Sequence, residues 1–89
     1  MFGSDSPQRV NGLTVLCRSY EFASQPNKAE SCNRALIELV RNTYGENSPY
    51  LARAYQEQAK ILHSLGREAE ATQAEKKAAA IQQPVAGVN

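Results

Sequence analysis

Apolar residues recur along the chain at intervals of three and four positions, in segments separated by short polar stretches. This spacing places them on one face of an α-helix. The pattern predicts four helices, over residues 7–23, 27–44, 48–65 and 67–83. Their apolar stripes consist, in chain order, of Val10, Leu13, Leu16, Cys17, Tyr20 and Ala23; of Ala29, Cys32, Leu36, Leu39 and Thr43; of Leu51, Ala52, Tyr55, Ala59, Leu62 and Leu65; and of Ala71, Ala74, Ala78 and Ile81.

The second predicted helix carries apolar residues beyond its main stripe. Ala35 and Val40 widen the stripe, and Ile37 lies off it. A helix that is apolar on more than one side is expected to be covered on more than one side. We therefore predict that the second helix packs between the first helix and the third.

A boundary motif occurs twice in the chain. Tyr44-Gly45-Glu46-Asn47-Ser48-Pro49 combines a glycine that suits a helix end, a serine that can cap the next helix and a proline that suits its first position. Phe2-Gly3-Ser4-Asp5-Ser6-Pro7 has the same pattern 42 residues earlier. A shift of the chain by 42 residues mostly aligns small or apolar positions with each other, although Leu16 falls on Gln58. A fixed period of this size is the signature of a repeat architecture.

The repeat divides one small domain, residues 1–89, into two units. The first unit covers about residues 6–47 and the second about residues 48–83, followed by a tail over residues 84–89. Pro84 is expected to stop the fourth helix, because proline lacks the N–H that continues the hydrogen-bond ladder.

The charge and the hydrophobicity of the chain argue against several classes of function. Ten basic and nine acidic residues make the chain nearly neutral, which argues against electrostatic binding of nucleic acid or of an anionic membrane. No apolar run approaches the roughly 20 residues that span a bilayer, so membrane insertion is not expected. The N-terminus has no charged region followed by an apolar core, so no secretory signal is expected. We therefore predict a cytoplasmic protein.

The two cysteines are the first candidates for chemistry. Cys17 and Cys32 are predicted to lie on antiparallel neighbouring helices, about equally far from the turn between them, and so to be close in space. Two interpretations of this pair remain open, a disulfide and two buried reduced thiols, and the reduced thiols are favoured.

His63 is the only histidine. It fits either a pH-sensitive contact with a partner or, as the favoured alternative, a solvated helix position.

The remaining polar residues do not form a catalytic arrangement. No second histidine or cysteine stands at metal-ligand spacing from His63, so no metal site is expected. The acidic residues Glu68, Glu70 and Glu75 sit beside no candidate nucleophile, and there is no glycine-rich phosphate loop. We predict that the protein is not an enzyme and uses no cofactor.

The first helix of the second unit has a large residue, Tyr55, then a small one, Ala59, and a bulky one, Leu62. Gly66 lies in the turn, Ala71 and Ala78 are two small residues seven positions apart in the second helix, and Pro84 closes the unit. This pattern resembles that of the tetratricopeptide repeat family. The first unit is similar at Leu13, Cys17, Tyr20 and Ala29, but Leu36 replaces a small residue and the turn glycine is missing. The 42-residue period and the linker resemble the longer variant typified by kinesin light chain.

The resemblance implies an all-α fold, in which two helix-turn-helix repeats make a short α-solenoid of four antiparallel helices. It also implies a non-enzymatic protein–protein interaction module, in which the first helix of each unit lines a concave groove that binds a protein or peptide partner. The groove positions that it assigns are Asn11, Thr14, Arg18, Glu21, Arg53, Gln56, Lys60 and His63.

The residue types at these positions limit the choice of partner. Thr14 and Gln56 replace the residues of the carboxylate clamp in the chaperone-binding members, so recognition of a chaperone C-terminus is not predicted. The basic residues Arg18, Arg53 and Lys60 favour an acidic segment.

A second interpretation uses a different surface. Two repeats are short for a solenoid, which usually needs about three for stability. The polar outer face of the fourth helix suits the free end of a stack, whereas the N-terminal end is uncapped. The alternative function is therefore a small structural subunit of a larger assembly, or a homodimer, held by the uncapped N-terminal hairpin surface. We expect Ile37 to lie on that outer face.

Overall fold

The fold consists of helices alone over the part of the chain that the structure describes. The computed structural model describes the backbone of residues 7–88 and the side chains of residues 7–81. Its helices are α1 (Pro7–Phe22), α2 (Pro26–Tyr44), α3 (Pro49–Ser64) and α4 (Glu68–Val88). Each helix packs against the next one in the chain. The all-α prediction, with two helix hairpins stacked as a short solenoid, is confirmed.

The boundary between the two units has the predicted local structure. The Ser48 side chain accepts a hydrogen bond of 2.9 Å from the backbone N–H of Tyr50, and Pro49 is the first residue of α3. Gly45, which follows α2, has a φ angle of +95°, a conformation that residues with a Cβ rarely adopt. The earlier copy of this motif lies outside the described residues, apart from Pro7.

Helix α2 forms the centre of the core. Its residues Leu36, Ile37 and Val40 are all buried, and it packs against both α1 and α3. The prediction that α2 is covered on two sides is therefore confirmed. The prediction that Ile37 lies on the outer face of the first hairpin is wrong, because Ile37 is only 6% exposed and shares the core cluster with Leu51 of α3.

Helix α1 is the least buried element. Its fully buried residues are Val10 and Cys17, while Leu13 and Tyr20 pack partly against the core. Leu16 is 44% exposed, so its predicted place in the buried stripe is wrong. Leu16 lies on the N-terminal side of the stack, where no described element covers it. The same side of α3 is covered by α2.

Helix α4 packs against α3 through small side chains, as predicted. Ala71 and Ala74 are buried in one cluster with Ala59 and Leu62 of α3. The prediction that Pro84 stops the fourth helix is wrong, because α4 continues to Val88. The fixed φ angle of proline is compatible with an α-helix, so Pro84 removes one hydrogen bond from the ladder without forcing the helix to end.

The turns inside the two hairpins have the same hydrogen bonds. In the second unit, Gly66 N–H donates to the His63 carbonyl and Arg67 N–H donates to the Leu62 carbonyl. In the first unit, Ser24 and Gln25 make the equivalent bonds, to the carbonyls of Glu21 and Tyr20. This pair of bonds is the Schellman arrangement, which needs a left-handed residue after the helix. Ser24 takes that conformation, with a φ angle of +58°, in place of the missing glycine.

We expect the substitution Ser24→Gly to raise the free energy of unfolding by about 0.5–1 kcal/mol. The strain of a Cβ in the left-handed region outweighs the entropy that glycine adds to the unfolded chain. Urea denaturation followed by circular dichroism measures the change. Ser24→Ala, which keeps the Cβ, is the control, and an equal gain in both variants would contradict the strain explanation.

Candidate functional site

A groove lies between the first helices of the two units. Its volume is about 410 Å³, and it is lined by Arg18, Glu21 and Phe22 of α1 and by Glu57 and Lys60 of α3. A second depression of about 430 Å³ adjoins it and shares Glu21 and Lys60. Together they form one open surface, which we call the α1–α3 groove.

The regular spacing of the helices brings these side chains together. Arg18, Glu21 and Phe22 stand three and four residues apart, so they share one side of the last turns of α1. Glu57 and Lys60 are one turn apart on α3, with Lys60 Nζ 3.8 Å from a Glu57 oxygen. Because Lys60 is exposed and the two charged atoms are 3.8 Å apart, this pair contributes little to stability, and Lys60 can contact a partner at low cost.

Polar links across the units fix the relative positions of the helices. The Asn33 side chain of α2 donates a hydrogen bond of 3.2 Å to the carbonyl of Ala54 in α3. The buried Glu30 of α2 accepts hydrogen bonds of 2.9 Å from Arg34 and from Arg67, which precedes α4. The bonds of Asn33 with Ala54 and of Glu30 with Arg67 join α2 of the first hairpin to the second hairpin.

Two carboxyl groups face each other at the base of the groove. Burial raises the pKa of Glu21 above its ordinary value, and the neighbouring charge of Glu57 raises that pKa further, whereas Lys60 and Arg18 lower it in part. One oxygen of Glu21, Oε2, is buried without a hydrogen-bond donor. A hydrogen-bond donor from a bound partner would satisfy this oxygen.

The structure brings three of the eight predicted groove residues into the lining, namely Arg18, Glu21 and Lys60. The others lie outside it. Asn11, Arg53 and Gln56 are exposed, and the half-buried Thr14 donates its hydroxyl hydrogen to the Val10 carbonyl at 2.8 Å.

His63 is directed towards α4 and not towards α1. Its Nδ1 lies 2.5 Å from a Glu68 oxygen and its Nε2 lies 3.1 Å from a Glu75 oxygen. These hydrogen bonds, first that to Glu75 and then that to Glu68, raise the pKa of His63 above its ordinary value. The protonated ring therefore links α3 to α4, and this small stabilisation is lost as the pH rises through the raised pKa.

Six residues that line the groove were not among the predicted site residues: Phe22 and Glu57 in the first depression, and Ser24, Pro26, Ile61 and Ser64 in the adjoining one. Phe22 is 90% exposed. A large aromatic residue that falls off the apolar stripe of α1 is the sequence signal that identifies it. Glu57 has no comparable signal, because a glutamate on an exposed helix face is common and only the neighbouring helix gives it a role.

Another surface, which is largely apolar, lies at the N-terminal end of the stack. A groove of about 640 Å³ between α1 and α2 is lined by Leu13, Leu16 and Tyr20, together with Lys28 and other residues of α2. We call this surface the N-terminal face.

The described residues contain no helix that is long and apolar enough to cross a membrane. Over the same part of the chain, histidine, cysteine and acidic side chains nowhere gather in a group of three or more that could hold a metal ion.

Comparison with known proteins agrees with the architecture. The sequence profile described as tetratricopeptide repeat matches residues 3–83, which is most of the chain. Neither the curated proteins nor the solved structures contain a significant match. Because the profile spans both helix hairpins, the chain belongs to the tetratricopeptide repeat family.

Proposed function

We propose that this protein is a non-enzymatic interaction module that binds a segment of a partner protein in the α1–α3 groove. Tetratricopeptide repeats generally bind protein partners. The observation that carries the proposal is the composition of the groove, where the exposed ring of Phe22 is flanked by Arg18 and Lys60. An exposed aromatic side chain with basic neighbours is suited to an apolar residue that has acidic residues beside it.

The side chains that line the groove indicate the chemistry of the partner segment. Phe22 offers an apolar contact, and Arg18 and Lys60 offer charge-assisted hydrogen bonds to carboxylates. The groove has no clamp for a terminal carboxylate, so we propose an internal segment as the ligand. Glu21 and Glu57 lie between the basic residues, and they would disfavour an acidic residue placed directly above them.

Two narrower assignments belong to the same proposal. We assign the repeats to the 42-residue variant typified by kinesin light chain, because the linker between α2 and α3 combines Gly45, the Ser48 cap and Pro49. We also propose that the protein works as an adaptor or scaffold in the cytoplasm.

The substitution Lys60→Glu is expected to weaken peptide binding at least about tenfold, because it reverses a charge at the groove. The probe is a synthetic peptide selected from a displayed library of random 16-residue peptides panned on the purified protein. Fluorescence anisotropy measures the dissociation constants. Lys76→Glu, an equal charge change on the exposed face of α4, is the matched control and should leave binding unchanged.

Two outcomes would contradict the groove proposal. One is an equal loss of affinity in the Lys60→Glu and Lys76→Glu variants, which would indicate a general charge effect. The other is retention of binding in Lys60→Glu together with its loss in Leu16→Glu, which would place the peptide on the N-terminal face.

The N-terminal face supports the second candidate function, a structural subunit or homodimer held by the uncapped hairpin. Leu16 is exposed there, beside the partly buried Leu13 and Tyr20. Light scattering at increasing protein concentration tests self-association. A dimer that Leu16→Glu dissociates, and that Lys60→Glu does not, would favour this candidate over the groove.

A further inference from the structure

The two cysteines are in direct contact inside the first hairpin. The Sγ atoms of Cys17 in α1 and Cys32 in α2 are 2.7 Å apart. Both residues are buried and both are free thiols. They belong to antiparallel helices joined by the short turn at Ser24, so the contact arises from the pairing of the two helices.

We propose that Cys17 and Cys32 form an intramolecular disulfide when the protein reacts with a low-molecular-weight disulfide such as oxidised glutathione. The sulfur atoms are already neighbours, so bond formation needs a small side-chain adjustment and no separation of α1 from α2. The proposal is independent of the function assigned to the α1–α3 groove.

The positions of the two thiols indicate the order of the reaction. Cys32 lines the open groove of the N-terminal face, whereas Cys17 lies beneath it. Burial raises the pKa of Cys17, and the neighbouring Cys32 raises it further, so its thiol stays protonated and reacts slowly with external reagents. An incoming disulfide therefore reaches Cys32 first.

The exchange then proceeds in two balanced steps. The Cys32 thiolate attacks one sulfur of oxidised glutathione, which forms a mixed disulfide and releases one glutathione thiolate. Cys17 loses its proton to solvent and attacks the Sγ of Cys32, which releases the second glutathione thiolate. Two protein thiols are oxidised to one disulfide, and one glutathione disulfide is reduced to two thiols.

The disulfide would fix the helix that has the weakest attachment to the core. Among the described residues, only Val10 and Cys17 of α1 are fully buried. The same helix supplies Arg18, Glu21 and Phe22 to the α1–α3 groove. A covalent link from Cys17 to α2 would therefore hold one wall of the groove in place.

Oxidation by glutathione disulfide is the test. Mass spectrometry of the whole protein should show a loss of two hydrogens, and peptide mapping should show a Cys17–Cys32 bond. Urea denaturation should give an unfolding equilibrium constant on the order of 100-fold smaller for the oxidised protein than for the reduced protein. Closure of a loop of 15 residues accounts for a change of that size.

Single and double variants complete the experiment. Cys17→Ala should stop at a glutathione mixed disulfide on Cys32, and the double variant Cys17→Ala/Cys32→Ala should show no difference between oxidising and reducing conditions. Disulfide-linked dimers, or a wild-type protein that keeps both thiols free or only glutathione-capped, would overturn the proposal. So would an oxidised protein no more stable than the reduced one.

Discussion

Replacement of Leu51 by alanine is expected to lower the free energy of unfolding by about 2–5 kcal/mol, which is the usual cost of truncating a buried leucine. Leu51 is 2% exposed and belongs to the main core cluster, together with Leu36 and Val40 of α2. Truncation removes apolar contacts and leaves a cavity between the units. A domain of this size has about 5–15 kcal/mol of stability in total, so the variant should be partly unfolded at moderate temperature.

Urea denaturation and thermal melting of Leu51→Ala measure this loss. The matched control is Leu16→Ala, the same substitution at a position that is 44% exposed, and it should cost less than about 1 kcal/mol. Similar losses in the two variants would mean that the interface between the units is not the main source of stability. The hairpins would then be held together chiefly by their polar links.

The local signals in the sequence predicted most of the fold. The stripe of α4 was confirmed, because Ala71, Ala74 and Ala78 stand three and four positions apart and are all buried. The start of α3 was confirmed because capping by Ser48 depends on the backbone of the next two residues alone. Such features need no knowledge of distant parts of the chain.

The predictions that were wrong depend on what lies beside an element. The apolar pattern of α1 includes Leu16, but burial needs a neighbouring helix on that side, and none is present among the described residues. Ile37 shows the opposite error: it lies off the apolar stripe of α2 and was expected to be on an outer face, but α3 covers it. Pro84 shows that a residue unfavourable for a helix does not always end one.

The candidate site was less accessible to sequence reasoning than the fold. The register of the repeats assigns Arg18, Lys60 and His63 to the groove. In the structure Arg18 and Lys60 line it, whereas His63 forms hydrogen bonds with acidic residues of α4. The contact between Glu21 and Glu57 joins residues on different helices and follows from the angle between them. Long-range links such as that between Glu30 and Arg67, 37 residues apart, likewise leave no periodic signal in the sequence.

Enlargement of Ala71 to leucine is expected to destabilise the protein by about 1–3 kcal/mol. Ala71 has no exposed surface, and it packs in the cluster that joins α4 to Ala59 and Leu62 of α3. Extra carbon atoms there force α4 away from α3 or force side chains out of their preferred rotamers. Because alanine and leucine have similar helix propensities, the change tests packing rather than helix formation.

Ala69→Leu is the matched control for this prediction, since Ala69 lies on the same helix and is exposed. Its free energy of unfolding, measured by urea denaturation, should stay within about 0.5 kcal/mol of the wild type. Equal stability of Ala71→Leu and Ala69→Leu would show that α4 does not pack closely on α3.

The expected loss of stability in Ala71→Leu also has a consequence for the groove, because displacement of α4 weakens the support of α3, which carries Glu57 and Lys60. Ala71→Leu should therefore also weaken binding of the selected peptide, although Ala71 does not line the groove.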